Sequence, residues 1–379
     1  MSTPRIAAIE WGTLTGQRPR QAGCNARLAV HGRNVQVPLA RITTDDGASG
    51  FGPSRLTEWE ATQLIGTPLD KLIRLEDGVA AQAVALEFPL WDLLGRRRGQ
   101  PVYRLLAQRA GKPVADPLRV PCYDTSLYID DLHLESDEAA ADLIAEEARF
   151  GYDNGHRAFK IKVGRGARHM PLDAGNRRDV AVIRAVLAAV GPDAPVLIDA
   201  NNGYNLNIAK QILAETAGCD LFWLEEAFHE DPVLYEDLHE WMAEEGLSVL
   251  IADGEGQASP LLLDYARNGV VDVVQYDIFS YGLTNWLHTG AQLDEWNVRS
   301  APHHYGRHVG NYVSGHLAAA LDGFTFIEWD EVFTPGLDGA AYAVEEGQVL
   351  LPDVPGFGLE LDEERFQQAV AQGGFALGA

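Results

Sequence analysis

The chain has 379 residues, enough for one large barrel plus a smaller domain. With 46% hydrophobic and 22% charged residues it has an ordinary globular composition, and its net charge of -25 disfavours nucleic acid and anionic membrane as partners, which call for basic patches. Cys24, Cys122 and Cys219 are odd in number and widely spaced, Met1–Leu14 has no signal-type apolar core, and no apolar run reaches about 18 residues, so a reduced, cytoplasmic protein is expected.

Residues 1–110 predict an antiparallel sheet with strands at Ile6–Trp11, Leu28–Val30, Val35–Thr43 and Gly50–Gly52, broken by Gly and Asp-Asp-Gly turns. A helix is expected over Asp77–Arg97, with Leu86, Leu90, Trp91 and Leu94 on its apolar face and a kink at Pro89. Gly111–Pro117 reads as a linker. From Arg119 the pattern becomes strand, loop, helix, repeated. In Ala158-Phe-Lys-Ile-Lys162 the two lysines share a face, because strand side chains alternate. Val196–Asp199, Leu221–Glu225, Val249–Glu255, Val271–Asp277, Val298–His303 and Phe324–Glu328 repeat the scheme, with helices such as Asp179–Val190, Ile208–Ala217, Leu234–Glu245 and Pro260–Asn268 between them.

Seven polar residues close these runs: Lys162, Asp199, Glu225, Glu255, Asp277, His303 and Glu328. Their spacing is near that of a βα unit, about 30 residues in a (β/α)8 barrel, and such barrels build their sites from groups at successive strand ends. Asp199, Glu225 and Glu255 on consecutive strands would repel one another unless a divalent cation held them. An all-oxygen shell suits a hard ion, most simply Mg2+. Asp253 has the same parity as Glu255 and competes as third ligand. Lys160 and Lys162 point into the same mouth, where a cation and a second lysine would disfavour an ammonium and leave a usable base. Asp277 behind His303 would set its tautomer and basicity, although His304 and His308 compete for that role. A protonated Glu328 could hydrogen-bond to a substrate carboxylate.

These segments resemble the enolase superfamily, in its mandelate racemase-like subgroup, over nearly the whole chain. The matching motifs are Phe159-Lys-Ile-Lys-Val-Gly164, Val196-Leu-Ile-Asp-Ala-Asn201, Trp223-Leu-Glu-Glu226, Ile251-Ala-Asp-Gly-Glu255, Asp272-Val-Val-Gln-Tyr-Asp277, Ala301-Pro-His303 and Ile327-Glu-Trp329. Pro89–Gly95 with Gln100–Tyr103 resembles the family's capping-domain helix, and Pro352–Gly358 its C-terminal return. The resemblance implies an α/β protein, a modified TIM (β/α)8-type barrel (116–349) with an N-terminal α+β capping domain (1–115, joined by about 350–379). It implies Mg2+ on Asp199, Glu225 and Glu255, with Lys162 as one base and His303 with Asp277 as the opposite acid/base. Lys160, Glu328 and Asn201 would bind substrate. An aspartate at 277, where the muconate-cycloisomerase-like branch carries lysine, argues against that branch. Two departures stand out: the family's Glu-Glu-Pro is Glu225-Glu226-Ala227, and its Gly-Gly after the sixth strand is Tyr281-Gly282.

The implied chemistry is removal of a proton next to a carboxylate, most simply as dehydration of a sugar acid to a 2-keto-3-deoxy acid. The alternatives are a racemase or epimerase on the same site and, more remotely, a non-catalytic ligand-binding barrel. A zinc-type hydrolase lacks the expected His ligands. The expected partner is a small sugar acid or hydroxy acid, with the chain a homo-oligomer like its relatives. Substrate choice is expected to depend on Leu14–Arg27, with Arg18 and Arg20, and on Pro53–Trp59. Tyr123 and Asp124 are candidate contacts to substrate hydroxyls.

Overall fold

The computed structural model describes residues 3–256 and 258–378. The chain opens on a four-stranded antiparallel sheet, Ile6–Ala22 against Gly32–Thr44 against Ser49–Pro53. Its last strand, Phe375–Gly378, returns to pair with Ala8–Trp11. The first strand thus runs far beyond the expected Trp11. Its polar Gln17-Arg-Pro-Arg20 tract conceals the extension, because there the strand packs on barrel loops rather than on an apolar core: Gln17 N–H donates to Phe333 O, and Arg18 is buried over the rings of Tyr305 and Tyr128. Leu28–Val30, expected as a strand, lies instead in the loop joining the first two strands.

The kink expected at Pro89 is absent. A 3-10 turn covers Ala81–Leu86 and an α-helix begins at Glu87, so Pro89 falls in its first turn, where no backbone N–H is required. Asp92, inside this helix, accepts from Phe51 N–H and Phe357 N–H, which ties the C-terminal return to the first sheet. Gly356 passes so close that a Cβ would lie 2.2 Å from Asp92 Oδ1, and its φ of +78° suits glycine.

Eight parallel strands then form the barrel: Arg119–Leu127, Phe159–Lys162, Val196–Asp199, Trp223–Glu225, Leu250–Asp253, Val273–Val274, Arg299–Ser300 and Ile327–Trp329. They pair in chain order up to the seventh. Ser300 and Phe324 make a parallel bridge ahead of the eighth, which pairs with the first through Ile327 and Cys122. Helices Asp137–Asp153, Leu172–Val190, Leu206–Glu215, Pro232–Glu244, Leu262–Arg267 and Leu283–Trp296 alternate with them.

The barrel interior is filled by Tyr123, Leu197, Trp223, Ala252, Val273 and Phe326, with Tyr123 edge-on to Trp223 at 5.5 Å. This plug makes the barrel a packed core rather than a pore, so chemistry is confined to residues beyond it. Among the described residues no helix is long and apolar enough to cross a membrane.

Candidate active site

Parallel register puts Lys162, Asp199 and Glu225 at one level on three adjacent strands. Glu255 lies two residues past the end of its strand, and oxygens of Asp199, Glu225 and Glu255 all fall within 4.8 Å of one another. Asp253 does not join them. Gly254, at φ +119°, breaks the strand alternation that would have put Asp253 and Glu255 on one face. Asp253 instead accepts from the Tyr235 hydroxyl and Gly254 N–H, and burial with Glu230 nearby raises its pKa well above the carboxylate range.

The trio is electrostatically crowded. Burial and the charge of Asp199 push Glu225 up to about 8, and burial with Glu255 pushes Glu226 up to about 11. Asp199 keeps its charge: burial opposes it, but Lys162 and Lys160 hold its pKa at about 2. Glu255 Oε2 is buried and accepts no hydrogen bond, although His303 Nε2 lies 3.1 Å away. A cluster of three carboxylates, with one oxygen left without a donor and no Cys or His ligand, fits a hard divalent cation.

Both lysines meet the trio from below and beside. Lys160 Nζ has no exposed surface and lies 2.6 Å from Glu225, 3.3 Å from Asp199 and 3.1 Å from Glu328. Lys162 pairs with Asp199 and donates to Asn201 Oδ1 at 3.2 Å. Burial is the largest influence and disfavours its charge, yet Asp199, with Glu255 and Glu225, outweighs burial and raises its pKa; the depressed lysine expected from sequence depends on a cation beside it. Asn201 lies at φ +41°, and its amide donates to Glu226 and to Glu255 at 3.2 and 3.0 Å.

His303 and Asp277 come together just past the seventh and sixth strands. His303 Nδ1 lies 3.3 Å from Asp277 Oδ2, while Nε2 faces Glu255. Burial would lower its pKa, but Glu255 and then Glu328, with Asp277 behind the ring, raise it to about 9. The competing histidines are turned away. His304 is buried with both ring nitrogens unpartnered, His308 is held by the Tyr312 hydroxyl at 2.8 Å, and burial lowers each to about 4. Glu328 departs from the protonated acid expected of it. Burial opposes its charge, but Lys160, with His303 and His304, draws its pKa well below normal, and its oxygens accept from Thr125, His304 N–H and Tyr305 N–H.

Residues 143–365 match the family model described as enolase C-terminal domain-like. The chain belongs to that family. At 47% identity it is similar to a galacturonate dehydratase from Geobacillus sp., solved with D-galacturonate and 5-keto-4-deoxy-D-galacturonate, covering all of both chains at a TM-score of 0.94. It is also 47% identical to a mandelate racemase/muconate lactonizing protein from Geobacillus sp. Y412MC10, solved with magnesium and tartrate. That match covers all of this chain and 98% of the other, at a TM-score of 0.96. Arabinonate dehydratase of Saccharolobus solfataricus is 24% identical over 90% of this chain and 92% of its own.

In this family member the segment Leu14–Arg27, expected from sequence to bear on substrate choice, reaches the site through contacts that carried no sequence signal. The loop after the first strand turns in over the barrel: Asn25 donates to Ala200 O at 2.7 Å, and Ala26 N–H to Gly164 O at 2.8 Å. Beneath that tip lies a space of only 20 Å³, bordered by Lys162, Asn201, His31 and Tyr305. Arg307 donates to Asp277 Oδ1 at 2.9 Å. Tyr123 is a plug residue under Lys160, and Asp124 is turned to its own loop, accepting from Ser126 N–H, so neither reaches the mouth. Arg20 pairs with Glu147 at 2.7 Å.

Proposed function

We propose that this chain is a Mg2+-dependent acid-sugar dehydratase. It removes the proton from the carbon beside a carboxylate, expels hydroxide from the next carbon as water, and leaves a 2-keto-3-deoxy acid. The carrying observation is that the carboxylate trio has a lysine against Asp199 and a histidine against Glu255. Two proton-transfer groups therefore meet one cation-binding centre from different members of the trio.

Asp199, Glu225 and Glu255 would hold Mg2+, which supplies the positive charge that makes the adjacent C–H acidic and stabilises the enediolate. Lys162 would take the α-proton in its neutral form, which it reaches when the charge of Asp199 is engaged elsewhere. His303, oriented by Asp277, delivers a proton to the departing hydroxyl, and the resulting enol tautomerises to the ketone. Asn201 keeps Lys162 and Glu255 in a fixed relation, and Lys160 with Glu328 balances charge beneath the trio while facing the substrate carboxylate.

Within this class we favour a hexuronate as substrate. In 5-keto-4-deoxy-D-galacturonate, which the 47% identical relative binds, the keto carbon adjoins the C6 carboxylate and the deoxy carbon comes next. Counted from the carboxylate, that is the 2-keto-3-deoxy pattern. The proposal takes the cap (1–115 with 350–379) and barrel (116–349) as two units of a cytoplasmic homo-oligomer.

The test is incubation with D-galacturonate and a panel of uronic and aldonic acids in D2O, with Mg2+ or with chelator, read by mass. Mg2+-dependent loss of water establishes the dehydratase and names its substrate. Deuterium gain without water loss would make the enzyme an epimerase.

A further inference from the structure

A second cavity, of about 520 Å³, opens between the first domain and the barrel and is lined by Arg307, which also donates to Asp277. It lies in the size range of small-molecule sites, roughly 300–1,000 Å³, whereas the space above Lys162 does not. Its apolar walls are Val37, Leu56 and Phe88 from the first domain and Phe279 and Val309 from the barrel, with Gln36, Ser54 and Gln82 among them. The rings of Phe88 and Phe279 are 5.3 Å apart. Two cations, Arg55 and Arg307, stand in this lining. Glu60 is its one acid, set against the two arginines, and its Oε2 accepts from Thr57 N–H and hydroxyl. In a chain of net charge -25, an apolar chamber with cationic corners selects for an amphipathic anion.

Arg307 gives the cavity a route to the chemistry. Its guanidinium lies 5.1 Å over the Phe279 ring and donates at 2.9 Å to Asp277 Oδ1, whose other oxygen faces His303 Nδ1. An anion on Arg307 competes with Asp277 for the same donors and loosens the carboxylate that orients the histidine.

We propose that this cavity is a second small-molecule site for an aromatic monoanion, with its ring between Leu56, Phe88 and Phe279 and its charge on Arg307 and Arg55. Occupancy slows turnover through Arg307 and Asp277. The slowing rests on the dehydratase reading; the binding does not.

The probe is 8-anilinonaphthalene-1-sulfonate on the full-length, Mg2+-loaded enzyme, with Val84→Glu as the comparison. Val84 borders the cavity, is 51% exposed and lies in the first domain's 3-10 turn Ala81–Leu86, so the variant adds a repelling charge at little structural risk. The dye fluorescence should rise saturably with the unaltered protein. Val84→Glu should weaken the dye at least tenfold while leaving basal activity and Tm unchanged. Saturating dye should lower kcat at least twofold in the unaltered enzyme, with KM unchanged, and should do so less in the variant. Equal affinity in the two proteins would overturn the site. Competition with substrate would make the cavity an arm of the active site and overturn its independence. Dissociation of an oligomer by Val84→Glu, seen by light scattering, would assign the face to a second copy of the chain instead. If no sugar acid turns over, the dye titration still stands or falls by itself, and the failure belongs to the dehydratase reading.

Discussion

His303 Nδ1 faces Asp277 Oδ2 at 3.3 Å, and the aspartate cannot swing away from it. Asp277 caps the short helix Ile278–Tyr281 through Phe279 and Ser280 N–H, and Arg307 holds the same oxygen. A carboxylate fixed from three directions imposes one ring orientation, which leaves Nε2 facing the trio.

Asp277→Asn should therefore keep the packing and lose the charge behind the ring. A fall in kcat of about 10²- to 10⁴-fold is expected, as for loss of a positioned acid/base, with KM changed little. Steady-state kinetics on the substrate identified by the D2O screen checks this. A variant within threefold of the parent would remove Asp277 from the mechanism.

His303→Asn should separate the two proton transfers. With Lys162 intact, the α-proton of substrate should still exchange with D2O while water loss falls by roughly 10²-fold or more. Loss of both exchange and elimination would show that His303, not Lys162, takes the first proton.

Mg2+ should stabilise the fold through the trio. At a concentration 100 times its Kd, a ligand of the native state contributes about 2.7 kcal/mol, so Mg2+ should raise Tm by a few degrees and chelator should reverse it. Glu225→Gln should abolish that rise. An unchanged Mg2+ response in this variant would place the ion elsewhere.

Away from the site, His156 makes stability depend on pH. Burial alone would strip its proton, but contacts with Cys122 and the Glu331 carboxylate, and the charge of Asp124, lift its pKa to about 10. An unfolded histidine titrates near 6.5, so its contribution is complete below about pH 6.5 and is lost as pH rises toward 10. Denaturant melts across this window should fall in the parent and flatten in His156→Asn. Parallel curves for the two proteins would refute the assignment.

Asn25 should act as the latch of the loop above the site. The 20 Å³ beneath it holds about one water, so a sugar acid enters only when this tip lifts. Asn25→Ala removes the bond to Ala200 O, which keeps only Gly203 N–H, and the two bonds that Asn25 Oδ1 accepts from Arg27 and Leu28 N–H, a cost of about 1–3 kcal/mol. Faster proteolysis near residues 23–31 and a several-fold higher KM are expected. Protection equal to that of the parent would show that other contacts hold the tip.

Most of the barrel was legible because strand and helix periods are local properties, and a charged residue ending an apolar run marks the rim. The order from Lys162 to Glu328 follows from that pattern. The choice between Asp253 and Glu255 was not legible, since both have the same parity and only the backbone turn at Gly254 separates them. Nor was the choice among His303, His304 and His308, because it depends on which ring is buried among other elements and which meets a carboxylate.

The sequence by itself determined the repeat, the parity of the two lysines, and the set of acids that a hard cation requires. Tertiary structure decided what lies across the mouth. The Gln17–Arg20 tract extends a strand, Asn25 closes on Ala200, and Arg307 steadies Asp277, all through partners far away along the chain. The physical reason is that periodicity reports only which face of an element is buried. A polar side chain buried against another element gives no periodic signal, and its role appears only when the fold supplies its partner.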